Sequence, residues 1–146
     1  MPDDSNKRIG TVAESAAATA LLKEGFGVSW PLGDFMGWDL VTDWEGKVNR
    51  IQVKTSKKVN TTYHLNLSMN RMGGGKKLYS KAECDFIMLI LPYGDDYDEL
   101  NGDGIYIVPV KEVKVKAKHI WPPGMGGRKG VNCSWEKYRN QFDLLK

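Results

Sequence analysis

A chain of 146 residues with a net charge of +3 and two cysteines is long enough to bury a core without disulfides or structural metals as staples. Cys84 and Cys133 form no C-x-x-C, His64 and His119 stand isolated, and the run Ala16 to Leu22 is too short for a signal sequence or a membrane span. A disulfide scaffold, a zinc site of ordinary spacing and a membrane segment are thereby excluded, and the expectation is one cytoplasmic domain over residues 1–146 with no membrane partner.

In chain order, Asp4 or Ser5 caps a first helix that runs to about Lys23 and is closed by Gly25 and Gly27. Ile9, Val12, Ala13, Ala16 and Ala20 make its apolar stripe. Glu14 lies at the margin of that stripe among the small neighbours Gly10, Ala17 and Ala18, which let the helix approach a sheet closely. Phe26 to Pro31 reads as the first strand and Leu32 to Gly37 as a loop.

The stretch Trp38 to Lys54 reads as two strands joined at Glu45-Gly46, because Val41, Val48, Ile51 and Val53 suit a pleated surface and Gly46 accepts a positive φ. With a two-residue loop, Trp44 faces Lys47 and Asp39 faces Gln52, and Lys54 shares their side of the sheet by period two. Leu40, Ile51 and Val53 then point the other way, into a core. A three-residue loop would scatter the polar set across both faces.

Asn60 to Met69 alternates as another strand and is followed by N-R-M-G-G-G-K-K, whose spacing fails the phosphate-loop pattern and instead suits a loop touching backbone phosphate. The triplets beginning at Asn60, Asn66 and Asn132 have the glycosylation form but no secretion signal to make use of it. Asp85 to Leu91 is a continuous apolar run, as expected of a strand covered on both faces at the centre of a sheet. After an acidic loop, Tyr93 to Gly104, come a strand from Ile105 to Val110 and a lysine-rich edge strand from Lys111 to Ile120. Trp121 to Gly130 is an irregular loop that carries Arg128 and Lys129, and Ser134 caps a last helix carrying Trp135, Tyr138, Phe142 and Leu145.

Charge is segregated along this order. Between Lys47 and Ala82 there are nine bases and no acid, and between Glu83 and Gly104 seven acids and no Lys or Arg. Such a division is the footprint of a surface that faces a polyanion, with Arg50, Lys57, Lys58, Arg71, Lys76, Lys77, Arg128 and Lys129 as the expected DNA contacts.

A carboxylate and an amide oxygen can hold a hard divalent cation, and an adjacent ammonium can orient water or offset charge on phosphorus. A helical Glu, an Asp at a strand start and an acid or amide two residues before a Lys, here Glu14, Asp39, Gln52 and Lys54, resemble the core of the PD-(D/E)XK nuclease superfamily. The Q-V-K form is similar to that of its group I intron-encoded homing endonucleases, and the resemblance runs from about Lys7 to Lys58, with a fainter echo from Trp135 to Leu145. Gly37-Trp38 stands where the superfamily has a proline before the Asp.

The resemblance implies an α/β fold with a restriction-endonuclease-like core, a mixed sheet of about five strands flanked by helices. It implies a magnesium-dependent DNA endonuclease of homing type, with manganese able to substitute. Glu14, Asp39 and Gln52 would be its metal ligands, Lys54 would complete the catalytic set, and a homodimer or higher homo-oligomer would cut both strands. A Holliday junction resolvase of the same superfamily and an inactive DNA-binding module are the alternatives.

Overall fold

A computed structural model describes residues 5–33, 37–56, 58–59, 62–91, 105–120 and 135–146. One α-helix, α1 (Ser5–Lys23), leads the chain. It is followed by β1 (Gly27–Ser29), β2 (Leu40–Trp44), β3 (Lys47–Thr55), β4 (Lys58–Val59) and β5 (Thr62–Asn66). Then come β6 (Ser68–Asn70), β7 (Lys76–Leu78), β8 (Phe86–Ile90), β9 (Ile105–Pro109) and β10 (Ala117–Ile120). Among the described residues no helix is long and apolar enough to cross a membrane.

The main sheet has the order β1-β2-β3-β8-β9, with β3 and β8 parallel and the other pairs antiparallel. The strand at its centre is therefore β3; β8, expected there, is its immediate neighbour and has four buried residues in five. β2 and β3 pair as Leu40 with Ile51 and Trp44 with Lys47, the register of a two-residue loop. Glu45 and Gly46 have φ of 49° and 87°, the paired positive values of the turn whose twist matches a hairpin. Asp43 Oδ1 accepts the Gly46 N–H at 3.0 Å and fastens that turn.

Each face of the sheet is covered by a different layer. Helix α1 lies on one, where Ala13, Ala17 and Leu21 pack with Leu40, Ile51, Val53, Met88 and Ile90. The face it buries, Ala13, Ala16, Ala17, Ala18 and Leu21, is turned from the expected stripe, of which Val12 is exposed. The other face, Ile87, Leu89, Tyr106 and Val108, is covered by Leu65, Leu67, Tyr79, Ile120 and Trp135. Those residues come from a second β-layer, made of the three-stranded sheet β10-β5-β4 and the hairpin β6-β7, and from the C-terminal segment.

Helices on both faces were expected, and the described residues contain one α-helix. The last segment forms two 3-10 turns instead, Glu136–Tyr138 and Phe142–Leu145. Between them Asn140 takes a φ of 54° and gives its N–H to Ile105 O at 2.7 Å, so the backbone bonds of the segment are diverted to β9. The strand expected from Lys111 is likewise shorter, since a 3-10 turn at Val110–Glu112 buries Val113 before β10 begins.

The strand expected from Asn60 to Met69 is divided. Asn66 Oδ1 accepts both the N–H and the hydroxyl of Ser68, at 3.1 and 2.8 Å, a side-chain turn that separates β5 from β6.

Candidate active site

The site arises from a difference in length. β3 has nine residues and β2 five, so beyond Ile51 the strand β3 keeps β8 on one side and, among the described residues, has no strand on the other. Asp39 stands at that step. Its N–H continues the ladder to Ile51 O at 2.8 Å, and its carboxylate turns into the vacated edge, where Oδ2 accepts the Val53 N–H at 2.8 Å. The same oxygen accepts a short hydrogen bond from Gln52 Nε2.

Gln52 is buried, and its Nε2 also donates to Val53 O at 3.2 Å. Both neighbours of the nitrogen are acceptors, which fixes the amide with Oε1 as the atom left for a ligand. Asp39 Oδ1 likewise has no hydrogen bond among the described residues. Lys54 is half buried and its Nζ lies 4.8 Å from the centre of the Tyr79 ring.

Glu14 comes to the same place from α1. Together with Asn6, Gly10, Asp39, Gln52, Lys54 and Asn66 it lines a cleft of about 650 Å³. The four residues predicted as catalytic are therefore neighbours, brought from a helix, a strand start and one face of β3.

Electrostatics distinguish this cluster from an ordinary solvated strand face. Burial raises the Asp39 carboxyl above its usual range, against the opposing pull of the Val53 N–H, Lys54 and Gln52. Burial also raises Glu14, and the Asp39 charge adds to it. Two desolvated carboxylates that repel each other, beside a spare amide oxygen, are a donor set that a hard divalent cation relieves. Among the described residues no three His, Cys, Asp or Glu side chains converge.

The predicted DNA contacts divide into three groups. Arg71 and Lys76 are exposed on the β6-β7 hairpin. Arg50 and Lys77 are engaged within the protein: Arg50 bonds Asp85 and the carbonyls of Lys81 and Ala82, and Lys77 pairs with Glu83. Lys57, Arg128 and Lys129 lie outside the described residues, and of Lys58 only the backbone is described.

Sequence reasoning missed Asn6, Asn66 and Tyr79 near the site. The Asn66 triplet was a visible signal, since Asn-x-Ser is also a turn-forming pattern; nothing local marked Tyr79. His64 and His119, isolated in sequence, are register partners with ring centres 4.6 Å apart, but they do not line the cleft. A second cavity of about 700 Å³ is lined mainly by apolar residues such as Leu78, Phe86, Val110 and Val113, and its one carboxylate, Asp85, is already ion-paired.

Residues 4–121 match the family of PD-(D/E)XK endonucleases. The fold is similar to the solved structure of the bacterial homing endonuclease I-Ssp6803I, with 28% identity, a TM-score of 0.78, and 97% of this chain and 93% of that one covered. The structure of MepB shares the fold at 14% identity and a TM-score of 0.50, over 85% of this chain and 91% of that one. No curated protein matches.

Proposed function

This chain belongs to the PD-(D/E)XK endonuclease family, hydrolases of DNA phosphodiester bonds, and on that premise we propose that Glu14, Asp39, Gln52 and Lys54 form its catalytic centre, with magnesium as the divalent metal. The observation that carries the assignment is the convergence of Glu14 and Asp39, both held above their usual range, on the open edge of β3 beside Gln52 Oε1 and the Lys54 ammonium.

Glu14, Asp39 Oδ1 and Gln52 Oε1 would hold the ion. When bound, it supplies Lewis-acid polarisation of the scissile phosphate and lowers the pKa of water. Lys54 makes no hydrogen bond or ion pair with a described residue, so its donors serve the attacking water or the oxygens that gain charge as phosphorus is attacked. Asp39 keeps the arrangement rigid, because Oδ2 is committed to Val53 and Gln52 while Oδ1 faces the ligand.

Likeness to a homing endonuclease over nearly the whole chain favours a long duplex site as substrate. One such centre cuts one strand, so a double-strand cut requires a homodimer or a higher assembly. A cleavage panel of long duplexes and four-way junctions, with and without magnesium, tests this reading. Magnesium-dependent cutting of duplex alone is the expected result. Preference for the junction would reassign the substrate, and binding without any cut would remove the catalytic assignment.

A further inference from the structure

We propose that Tyr79 is the positioning residue for Lys54, holding its ammonium over the ring face. The inference rests on the placing of Lys54 in the catalytic centre and names what aims it. Lys54 Nζ lies 4.8 Å from the Tyr79 ring centre, within the range of a cation–π contact, and Tyr79 is 8% exposed, packed in the core cluster on that face.

The choice of an aromatic partner has a chemical consequence. A carboxylate would fix an ammonium by taking one or two of its three N–H donors and would neutralise its charge. A ring face attracts the same cation through its quadrupole and takes no donor. Among the described residues Lys54 has no hydrogen-bond or ion-pair partner, so Tyr79 holds the charge in place and leaves its donors to the substrate.

The ring is itself held firmly. Tyr79 directly follows β7, and the next residue, Ser80, gives its N–H and its hydroxyl to Glu83 Oε2 at 2.9 and 2.7 Å. Lys77, two residues before Tyr79, pairs with the other oxygen of the same carboxylate. The chain is thus fastened on both sides of the ring, and a flexible lysine is aimed by a rigid one-sided support.

The test is single-turnover cleavage at saturating protein, with DNA affinity measured separately without magnesium. Tyr79→Phe keeps the ring and should cleave within about threefold of wild type. Tyr79→Leu, and 4-cyanophenylalanine at position 79, which keeps a ring of similar shape but withdraws electrons from its face, should slow cleavage by roughly tenfold or more at unchanged DNA affinity. If the leucine variant unfolds, the cyano variant decides. A cyano variant that cleaves at the wild-type rate overturns the proposal. Lys54→Ala runs in parallel: normal cleavage there removes Lys54 from the centre, whereas an inactive Lys54→Ala beside a normal cyano variant rejects only the role of Tyr79.

Discussion

Gln52 meets Asp39 with its amide nitrogen, which leaves the oxygen of the side chain without a hydrogen bond among the described residues. Replacing Gln52 with alanine removes both the support of Asp39 and the third oxygen. Cleavage should fall sharply. Gln52→Glu restores the superfamily's acid but sets a second carboxylate against Asp39 Oδ2. That variant should melt lower than wild type without metal, recover on addition of magnesium, and cleave better than the alanine variant. Titration of magnesium against cleavage and melting temperature checks this, and an alanine variant as active as wild type rejects Gln52 as a site residue.

The raised carboxyls of Glu14 and Asp39 give a pH signature. Both bind protons more tightly in the folded chain than in the unfolded one. Without metal their contribution to stability is therefore greatest at low pH, and it declines as pH rises through the ordinary carboxylate range toward the raised values. Binding of a divalent cation needs both groups ionised and strengthens over the same window. Asp39→Asn should melt at pH 7 no lower than wild type without metal, lose the stabilisation given by magnesium, and cease to cleave. Melting curves at pH 5 and pH 7 with and without magnesium show whether it does.

Acid stability depends on a different pair. Burial opposes ionisation of Glu83, but Lys77 and the hydroxyl and N–H of Ser80 outweigh it and hold the carboxyl at about 2. Asp85 is held at about 2 in the same way, against its own burial, by Arg50 and Lys81. Folded values below the unfolded ones mean that this stabilisation is complete above the ordinary carboxylate range and is lost as pH falls toward about 2. Glu83→Gln should lower stability by about 1–3 kcal/mol at pH 7, with a smaller difference from wild type at the lowest pH that permits measurement. Denaturant melts at several pH values give the comparison.

On the β6-β7 hairpin, Arg71 and Lys76 are exposed whereas Lys77 is committed to Glu83. Neutralising Arg71 and Lys76 should weaken binding to all DNA similarly and reduce the log-log salt slope by roughly 0.9 for each DNA phosphate that is no longer neutralised. Lys77→Ala should chiefly lower stability. An unaltered slope in the double variant would mean that the hairpin tip does not meet DNA.

Gly37 offers a steric test. A Cβ at that position would lie 2.6 Å from Glu83 Cβ and 3.1 Å from its Cα, too close for the backbone to stay where it is. Gly37→Ala should therefore lower stability by about 1–3 kcal/mol and displace Asp39, two residues on, with a loss of cleavage larger than the loss of DNA binding. Thermal melts and cleavage assays on one preparation separate the two effects.

The hairpin register was legible in sequence as far as Glu45-Gly46 suits a two-residue turn, a three-residue loop being the alternative that the fold rejects, and that register carried Asp39, Gln52 and Lys54 to one place. Glu14 was legible only through the family pattern, since nothing local distinguishes it from a solvated helical charge. Tyr79 was not legible at all: its meeting with Lys54 depends on how the β6-β7 layer folds over the sheet, a non-local fact. The same limit applies to Arg50 and Lys77, whose positive charge reads as a DNA contact in sequence, where nothing shows that the fold sets Asp85 and Glu83 beside them. The C-terminal apolar stripe suited a helix, but the bond from Asn140 to Ile105 diverts the backbone after one turn.

The step between β2 and β3 bears on solubility as well. An unpaired strand edge invites pairing with another copy, and the first N–H exposed past the end of β2, that of Val53, is occupied by Asp39 Oδ2. The carboxylate acts as a stopper on that edge. Asparagine at position 39 can still accept that hydrogen bond and keep the edge closed, whereas alanine leaves it bare. An inactive protein prepared for crystallisation with DNA should therefore carry Asp39→Asn, and an Asp39→Ala preparation should aggregate at concentrations the asparagine variant tolerates.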